Sequence, residues 1–324
     1  NPALSENQWA RKMVEQVQAQ WIKVQPRTGE FSTDLEDFIY SQDTPTLSSG
    51  TYLQYRLFKA AAERGIPLLF DGQAADGLFG GHQFHYYAYW KDLRRLGQWQ
   101  ELRQDWKRFG GFTAALKYSV SNSLKYNYLS RMPFGVKTRF YEYYYQELNY
   151  LNRDFWQSYK SRLQEPAPAK TNSLNQMLYQ GFYKGTMPFL LKCVDRASNY
   201  FGVESAMPFA EDRKLYEYVH SIPGIYKIHA GHRKWLLKEA YRQQLPPAIY
   251  NRSDKMALLS PNNQWLRELR PVLRPYFEAL DGQIIDKHRL LKDFDAFFNP
   301  KSDLENYRIY KFAAFALWRH VFGL

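Results

Sequence analysis

The sequence predicts an α/β protein in which a short parallel sheet is followed by a large, mainly helical part. Helical and strand-like patterns alternate over the first 90 residues, and strand-like patterns nearly disappear after them. The apolar run at 66–70 passes directly into glycines and acids. In open parallel sheets, loops of this kind lie at the carboxyl edge of the strands, where ligands bind.

The first 40 residues predict a helix, a strand and a second helix. Residues 5–20 place apolar side chains at helical spacing, whereas residues 21–25 alternate as a short strand does. Thr33 and Glu36 have the spacing of a capping box, which predicts that a helix begins there.

Residues 51–64 predict another helix, and Gly65 is a typical helix terminator because it accepts a left-handed backbone. The apolar run at 66–70 then predicts a buried strand. Two strands make a poor sheet by themselves. We therefore expect either that the helical part covers them or that further strands precede this chain.

Beyond residue 90 the sequence predicts helices, and several of the breaks between them contain glycine or proline. The predicted helices cover residues 92–108, 111–128, 136–163, 173–200, 212–221, 231–243, 262–279 and 303–322. Residues 165–171 are the best candidate for a linker.

The chain has 324 residues and a formal net charge of +12, a feature shared with many nucleic-acid-binding proteins. Its densest basic segment, residues 91–108, also contains Asp92, Glu101 and Asp105. Mixed signs at helical spacing are typical of a solvated helix face. No zinc-finger, RNP or helix-turn-helix motif accompanies the segment, so we predict no nucleic-acid partner.

The sequence also predicts a protein of the reducing cytoplasm that does not span a membrane. No stretch approaches about 18 consecutive apolar residues. The single cysteine, Cys193, excludes an internal disulfide and a cysteine metal cluster. Its apolar neighbours predict a small buried thiol rather than a nucleophile.

The loop after the 66–70 run has the sequence Asp71-Gly72-Gln73-Ala74-Ala75-Asp76-Gly77-Leu78-Phe79-Gly80-Gly81. Gly72 lets backbone N–H groups approach an anion, and Asp76 can offer a carboxylate to Mg²⁺. Gly80 and Gly81 allow close packing or a left-handed turn. Taken alone, the pattern is weak, because glycines after a strand commonly form just a loop. A nucleotide site and a tight turn into a helix both stay open.

Two later segments place charged residues in apolar surroundings. Asp195 and Arg196 fit either a functional pair or an internal network that fixes the helix ends. A helix that begins after Gly231 would carry Lys234 in its first turn, where it can contact phosphate. Lys255, on a loop after two prolines, could stabilise an oxyanion, although a lone loop lysine is usually solvated.

Taken together, four segments resemble motifs of the glutamine-hydrolysing asparagine synthetase family. They follow the family's order and span nearly the whole chain. The matching segments are residues 71–82, where the family has a glycine-rich loop that ends Leu-Phe-Gly-Gly-Tyr; 190–209, where it has Leu-Leu-x-x-Glu-Asp-Arg-x-Ser and then Val-Glu-x-Arg-x-Pro-Phe; 252–261, where it has Arg-x-Asp-Lys-x-Gly-Phe-x-x-Pro; and 42–45, where it has Asp-Glu-Pro.

The resemblance implies the C-terminal synthetase domain of such a ligase, with a truncated parallel sheet of the ATP-pyrophosphatase type (adenine nucleotide alpha hydrolase-like) and a large helical lobe. Residues 1–90 would be the remnant of the nucleotide-binding α/β part, and residues 91–324 the helical part of the same domain. Relatives use ATP and Mg²⁺ to adenylate a small-molecule carboxylate, usually aspartate, and release pyrophosphate. Ammonia from a glutaminase domain or subunit then displaces AMP, as in asparagine biosynthesis.

The resemblance also implies which residues bind and react. The catalytic residues would be Gln73 and Lys255, the latter stabilising charge in the adenylation transition state. The nucleotide would be held by Asp71, Gly72, Asp76 and Lys234, with Asp76 as the Mg²⁺ ligand. The acceptor side would be shaped by Asp195 and Glu204.

Several matched positions depart from the family's pattern. Thr44, Gly77 and Val194 stand where relatives typically carry an acid, Ala206 stands for an arginine and Ala74 for a glycine. The family's Ser-Gly-Gly-x-Asp-Ser pyrophosphate loop and its glutaminase domain do not occur in residues 1–324. Because the sequence begins without a methionine, we expect this chain to be a piece of a longer protein.

Three functions therefore stay open. The first is an asparagine synthetase-like amide-forming ligase, incomplete or divergent in this chain. The second is an inactive relative that serves as a scaffold or partner-binding protein. The third is a ligase that closes a lactam or macrocycle, for which the altered positions would define a new acceptor.

Overall fold

The computed structural model describes residues 6–123, 132–164, 172–254, 260–298 and 307–324. It is a mostly helical α/β protein with a small parallel sheet, which confirms the predicted class in this general form. Among the described residues, no helix combines the length and the apolar character that crossing a membrane requires.

The chain forms nineteen α-helices and four short strands in its described part. The helices up to residue 123 are α1 (Asn7–Val17), α2 (Thr28–Gln42), α3 (Gly50–Ala62), α4 (Ala75–Leu78), α5 (His85–Arg95), α6 (Trp99–Arg108) and α7 (Phe112–Ser123). Those in the middle are α8 (Phe134–Tyr144), α9 (Arg153–Tyr159), α10 (Leu174–Lys184), α11 (Met187–Phe201), α12 (Pro208–Glu211) and α13 (Arg213–Ser221). The last are α14 (Trp235–Ala240), α15 (Pro247–Tyr250), α16 (Asn262–Glu278), α17 (Lys287–Lys292), α18 (Phe294–Phe297) and α19 (Tyr307–Val321). The strands are β1 (Leu68–Phe70), β2 (Glu204–Ala206), β3 (Ile228–His229) and β4 (His232–Arg233).

The parallel sheet consists of β1 and β2, which pair from Leu68 opposite Glu204 to Phe70 opposite Ala206. The Asp71 N–H donates to the Ala206 carbonyl at 2.9 Å, so the pairing extends into the loop after β1. Strands β3 and β4 form a separate antiparallel hairpin. The loop that begins at Asp71 therefore leaves the sheet at its carboxyl edge, as predicted.

Burial of the 66–70 strand was predicted, and this part of the prediction is wrong. The side chain of Phe70 is 77% exposed and that of Leu68 is 38% exposed, whereas Leu69 is half-buried. A sheet of two short strands covers little of its own surface, and only Leu69 of β1 packs against the main core. An apolar run therefore identified the strand but not its environment.

Two predictions in the first 40 residues are also wrong. Residues 21–25 form no strand. Helix α2 begins at Thr28, where the Glu30 carboxylate accepts a hydrogen bond from the Arg27 N–H at 2.7 Å. Thr33 lies inside this helix and donates to the Gly29 carbonyl, so it does not cap the helix.

Several long predicted helices are broken into shorter ones. The 92–108 segment divides around Gly97, which has φ 70°, and the 173–200 segment divides at Gly185 between α10 and α11. The 136–163 segment becomes α8 and α9 with the 3₁₀ turns Gln146–Tyr150 and Lys160–Gln164. The 165–171 linker lies outside the described residues.

The main hydrophobic core joins distant parts of the chain. It combines buried residues of α2, α3, α11, α16 and α19, among them Phe38, Tyr52, Val194, Phe277 and Leu317. Helices α5, α6, α7 and α10 share a second core. Cys193 is buried, and burial raises the pKa of its thiol to about 11, which confirms the predicted inert environment.

Candidate functional site

The loop after β1 has a defined backbone. The Asp71 side chain accepts a hydrogen bond from the Gln73 N–H at 2.9 Å, and α4 begins two residues later. Leu78 is fully buried and anchors the loop in the protein. Gly80 has φ 74°, which a glycine adopts without strain.

Ala74 departs from the expected residue type but keeps a glycine-like backbone. Its φ is 73°, in the left-handed region that costs an L-amino acid about 1 kcal/mol. The resemblance placed a glycine at this position, and the backbone conformation gives a physical reason for it. The loop therefore has the backbone conformation that a glycine would favour at position 74, although alanine stands there.

A cavity of about 550 Å³ lies against this loop. Its other walls come from the β4–α14 connection, α14 itself and the segment that follows α15. The charged lining residues are Glu6, Asp76, Arg233, Lys234, Lys238, Arg252 and Asp254. Four cations against three carboxylates give the cavity an excess of positive charge.

Asp76 and Lys234 meet in this cavity. The Lys234 ammonium lies 3.2 Å from the Asp76 carboxylate, and both side chains are about one-third exposed. Gly81 lies directly beside Asp76, so that any side chain at position 81 would collide with the carboxylate. Two residues that the sequence singled out in separate motifs therefore form one ion pair.

The local placement of Lys234 differs from the prediction. Lys234 precedes α14 and has φ 55°, whereas Gly231 lies in the hairpin turn between β3 and β4. Lys234 is thus held at the end of a strand, and not in the first turn of a helix. The Trp235 N–H donates to the Lys227 carbonyl at 2.8 Å and fixes this turn.

Lys238, Arg233 and Arg252 are functional candidates that the sequence interpretation missed. Arg233 donates to the Ser253 carbonyl at 2.8 Å, and Lys238 donates to the Arg252 carbonyl. Both bonds hold residues 252–254 against the cavity. Their signal in the sequence is weak, because a spacing of four between Lys234 and Lys238 is common on any solvated helix.

Arg252 is held on several sides. Its guanidinium contacts Asp254 at 3.0 Å and Glu6 at 2.8 Å, and it lies over the Trp9 ring at 4.7 Å. Its side chain is 15% exposed. The hydrogen bond from Arg252 lowers the pKa of Asp254, so this carboxylate stays ionised.

Lys238 is poised to lose its proton near neutral pH. Burial, assisted by the positive charges of Lys234, Arg233 and Arg252, lowers its pKa to about 8. Below this pH it is an ammonium that attracts anions, and above it the amine is neutral. With ATP as the test anion, we expect the affinity of this cavity to fall by up to about tenfold between about pH 7 and pH 9.

The replacement Lys238→Met tests this pH dependence. Ionisation of ATP itself is common to both proteins, so the difference between the wild-type and variant titration curves reports Lys238. Isothermal titration calorimetry at several pH values measures it. Parallel curves for the two proteins would show that Lys238 does not contribute.

The other candidate residues of the nucleotide and catalytic groups are not among the described residues that line the cavity. Asp71, Gly72 and Gln73 belong to the same loop as Asp76 but do not line the cavity. Burial raises the pKa of Asp71 even though the Gln73 N–H bond opposes the shift. Lys255 lies outside the described residues, directly after the cavity-lining Asp254.

Asp195 and Glu204 do not line the cavity either. Asp195 is exposed on α11, where it accepts a hydrogen bond from Asn199 at 3.1 Å. Arg196 pairs with Asp43 at 3.0 Å, so the internal Asp195–Arg196 network is not formed. Glu204 is exposed at the amino end of β2, opposite the edge where the Asp71 loop leaves the sheet.

A metal ion would find few protein ligands at this site. The described residues contain no group of three or more His, Cys, Asp or Glu side chains that could hold one. Mg²⁺ commonly needs one or two carboxylates and takes its remaining ligands from substrate phosphates and water. Asp76 fits this limited role, in a cavity whose lining also contains Glu6 and Asp254 but has more cations than carboxylates.

The comparison with protein families agrees with these features. A search of curated proteins finds no significant match. The family model described as asparagine synthase matches residues 1–320 of the 324, which includes every segment of the candidate site. The chain belongs to the asparagine synthase family.

Proposed function

We propose that this chain is the synthetase part of an ATP-dependent, amide-forming carbon–nitrogen ligase of the asparagine synthase type. Family membership gives ATP-dependent amide formation in general terms. The observation that carries the proposal further is the Asp76–Lys234 pair, which lies in a cationic cavity beside a loop at the carboxyl edge of a parallel sheet.

The cavity suits the triphosphate of ATP. Its volume of about 550 Å³ is in the range of small-molecule sites. The cations of Lys234, Lys238 and Arg252 would neutralise phosphate oxygens, and Lys234 would exchange its partner Asp76 for them. Apolar side chains of Phe209, Leu237 and others line the remaining wall and exclude water.

In the proposed reaction, a carboxylate oxygen of an aspartate-like substrate attacks the α-phosphorus of ATP. The bond to the bridging oxygen breaks and pyrophosphate leaves. Lys234 and Lys238 would stabilise the departing charge, Asp76 would hold Mg²⁺, which neutralises phosphate charge, and Lys255 would act at the transition state. An amine, such as ammonia from a glutaminase domain or subunit, then attacks the acyl carbon, releases AMP and loses a proton.

Roles for the loop residues and the acceptor side form part of the same proposal. Asp71, Gly72 and Gln73 would bind the adenylate from the edge of the sheet, since they share the loop that carries Asp76. Asp195 and Glu204 would contribute to acceptor recognition from outside the cavity. Their exposure leaves them accessible to a substrate or to a further part of the protein.

The test is release of AMP and pyrophosphate from ATP with Mg²⁺, ammonium ions and a panel of amino-acid carboxylates, using this chain and longer forms of the protein. We expect carboxylate-dependent AMP release that Asp76→Asn abolishes. Asp37→Asn, an exposed acid on α2, is the matched control and should leave it unchanged. Release of ADP, or no turnover with any carboxylate, would contradict the proposal.

An inactive scaffold is the second candidate, and apolar residues at charged positions favour it. Val194 is fully buried in the main core and Ala206 ends β2, where the resemblance implies an acid and an arginine. This candidate predicts that ATP does not bind. A macrocycle-forming ligase would instead release AMP without ammonium when its substrate carries an internal amine.

A further inference from the structure

The exposed charged side chains of α6 and α7 are all cations. Sequence patterning assigned residues 91–108 to a solvated face of mixed sign, but the two acids of α6 turn inward. Glu101 accepts a hydrogen bond from the Tyr89 hydroxyl at 2.7 Å, and Asp105 is 2% exposed and bonded to Trp90. Arg103 and Lys107 are exposed.

Helix α7 has apolar residues on two of its faces. Ala115 is buried on the inner face, in the second core. On the outer face, Phe112, Leu116 and Val120 are 60%, 48% and 52% exposed. Their spacing of four places them in one stripe along the helix. Contiguous exposed apolar patches on a protein surface often mark interaction sites.

A groove of about 470 Å³ continues this stripe between α6 and α7. Trp99, Trp106 and Phe112 line it, and the Trp106 and Phe112 ring centroids are 5.3 Å apart. Arg103 and Lys107 lie at its edge. We call this surface, from Trp99 to Val120, the α6–α7 face.

The groove also contains an unsatisfied hydrogen-bond donor. The indole N–H of Trp106 is buried and has no acceptor among the described residues. An unpaired buried donor of this kind costs about 1–3 kcal/mol.

We propose that the α6–α7 face docks an acidic amphipathic helix of a partner protein. Apolar side chains of the partner would lie on Phe112, Leu116 and Val120, and its carboxylates would face Arg103 and Lys107. The aliphatic centre of the stripe favours a helix over nucleic acid, which stacks its bases on aromatic rings. A second copy of this chain is disfavoured, because each copy carries a net charge of +12.

Selection from a displayed library of helical peptides of about 16 residues tests the proposal. We expect the peptides enriched on the wild-type protein to carry a net negative charge and apolar residues four apart. They should bind Leu116→Asp/Val120→Asp at least about tenfold more weakly. Val272→Asp, at a similarly exposed valine on α16, is the control and should keep wild-type binding.

A second variant separates binding from folding. Lys107→Glu changes only an exposed side chain, so it should keep the wild-type melting temperature. Its affinity for the acidic peptides should be about tenfold lower than that of the wild-type protein. Enriched peptides without acidic bias would overturn the proposal, and so would wild-type affinity of the enriched peptides for Leu116→Asp/Val120→Asp or for Lys107→Glu. If the protein binds single-stranded DNA but no peptide, and Lys107→Glu abolishes the DNA binding, the proposal is overturned in favour of nucleic acid. Sedimentation that shows self-association lost in Leu116→Asp/Val120→Asp would overturn it in favour of a second copy.

Discussion

Replacement of Lys234 by alanine is expected to weaken ATP binding by about tenfold to a hundredfold. A charge-assisted hydrogen bond to phosphate contributes about 1.5–3 kcal/mol, and its loss also leaves the Asp76 carboxylate in the cavity without its lysine. The Asp76–Lys234 pair is about one-third exposed, so we expect stability to change by less than about 1 kcal/mol. Calorimetric titration with ATP and Mg²⁺ measures the affinity, and a thermal melt measures the stability.

Lys214→Ala is the matched control for this experiment. Lys214 is an exposed lysine on α13 and does not line the cavity. Both variants remove one positive charge, so a general electrostatic effect on ATP would weaken binding equally in both. Equal loss of affinity, or no loss in Lys234→Ala, would show that the cavity is not the phosphate site.

The second large effect is expected at Lys227, which is fully buried. Its ammonium donates to the Asn175 side-chain oxygen at 2.6 Å, and Asn175 donates in turn to the His220 and Ile222 carbonyls at 2.9 Å. Burial lowers the pKa of Lys227 from 10.5 to about 8. Since the folded form is the weaker base, the unfolded chain holds more protons above pH 8, and the free energy of unfolding rises with pH.

The expected size follows from about 1.4 kcal/mol per pH unit. Between about pH 8 and pH 9.5 the free energy of unfolding of the wild-type protein should rise by about 1.5 kcal/mol relative to Lys227→Met, since the folded Lys227 is still half protonated at pH 8. Loss of the Asn175 hydrogen bond in the variant adds an offset that does not depend on pH. Urea unfolding at each pH gives both curves.

Other groups also titrate in this pH range. Their contributions cancel in the difference between the wild-type protein and Lys227→Met, because both proteins contain them. Lys238 also has a pKa near 8, and it is present in both proteins. Lys214→Met, at an exposed site, should retain the full wild-type pH dependence. If the free energies of unfolding of Lys227→Met and the wild-type protein change in parallel across this pH range, folding does not lower the pKa of Lys227.

Patterns local in sequence predicted much of the fold and the loop of the site. The 66–70 run became β1, and Leu78 anchors the following loop. The helix predicted over 51–64 is α3, which ends just before Gly65. These elements depend on residues within one or two turns of each other, so the sequence contains their signals directly.

Pairings between distant segments could not be predicted in the same way. Strand β2 has the sequence Glu-Ser-Ala, which lacks the β-branched and aromatic residues of typical strands, and it forms because β1 lies beside it. Residues 21–25 have the better strand pattern but form no strand. Strand formation thus depended on the available partner more than on local propensity.

The site could be predicted only in part, because its contacts also join segments that are distant in the sequence. Motifs identified Asp76 and Lys234 separately, and only the fold brings them within 3.2 Å. Arg252 contacts Glu6, 246 residues away in the sequence, and Trp9, and these contacts have no local signal. The roles of Gln73, Asp195, Glu204 and Lys255 stay predictions.

The most direct test of the adenylation claim follows oxygen from substrate to product. The carboxylate that supports AMP release is labelled with ¹⁸O, and the products are analysed by mass spectrometry. The account predicts AMP that contains one labelled oxygen, because the oxygen that attacks the α-phosphorus remains with AMP when the amine takes the acyl group. Unlabelled AMP, or label in inorganic phosphate together with ADP, would contradict it.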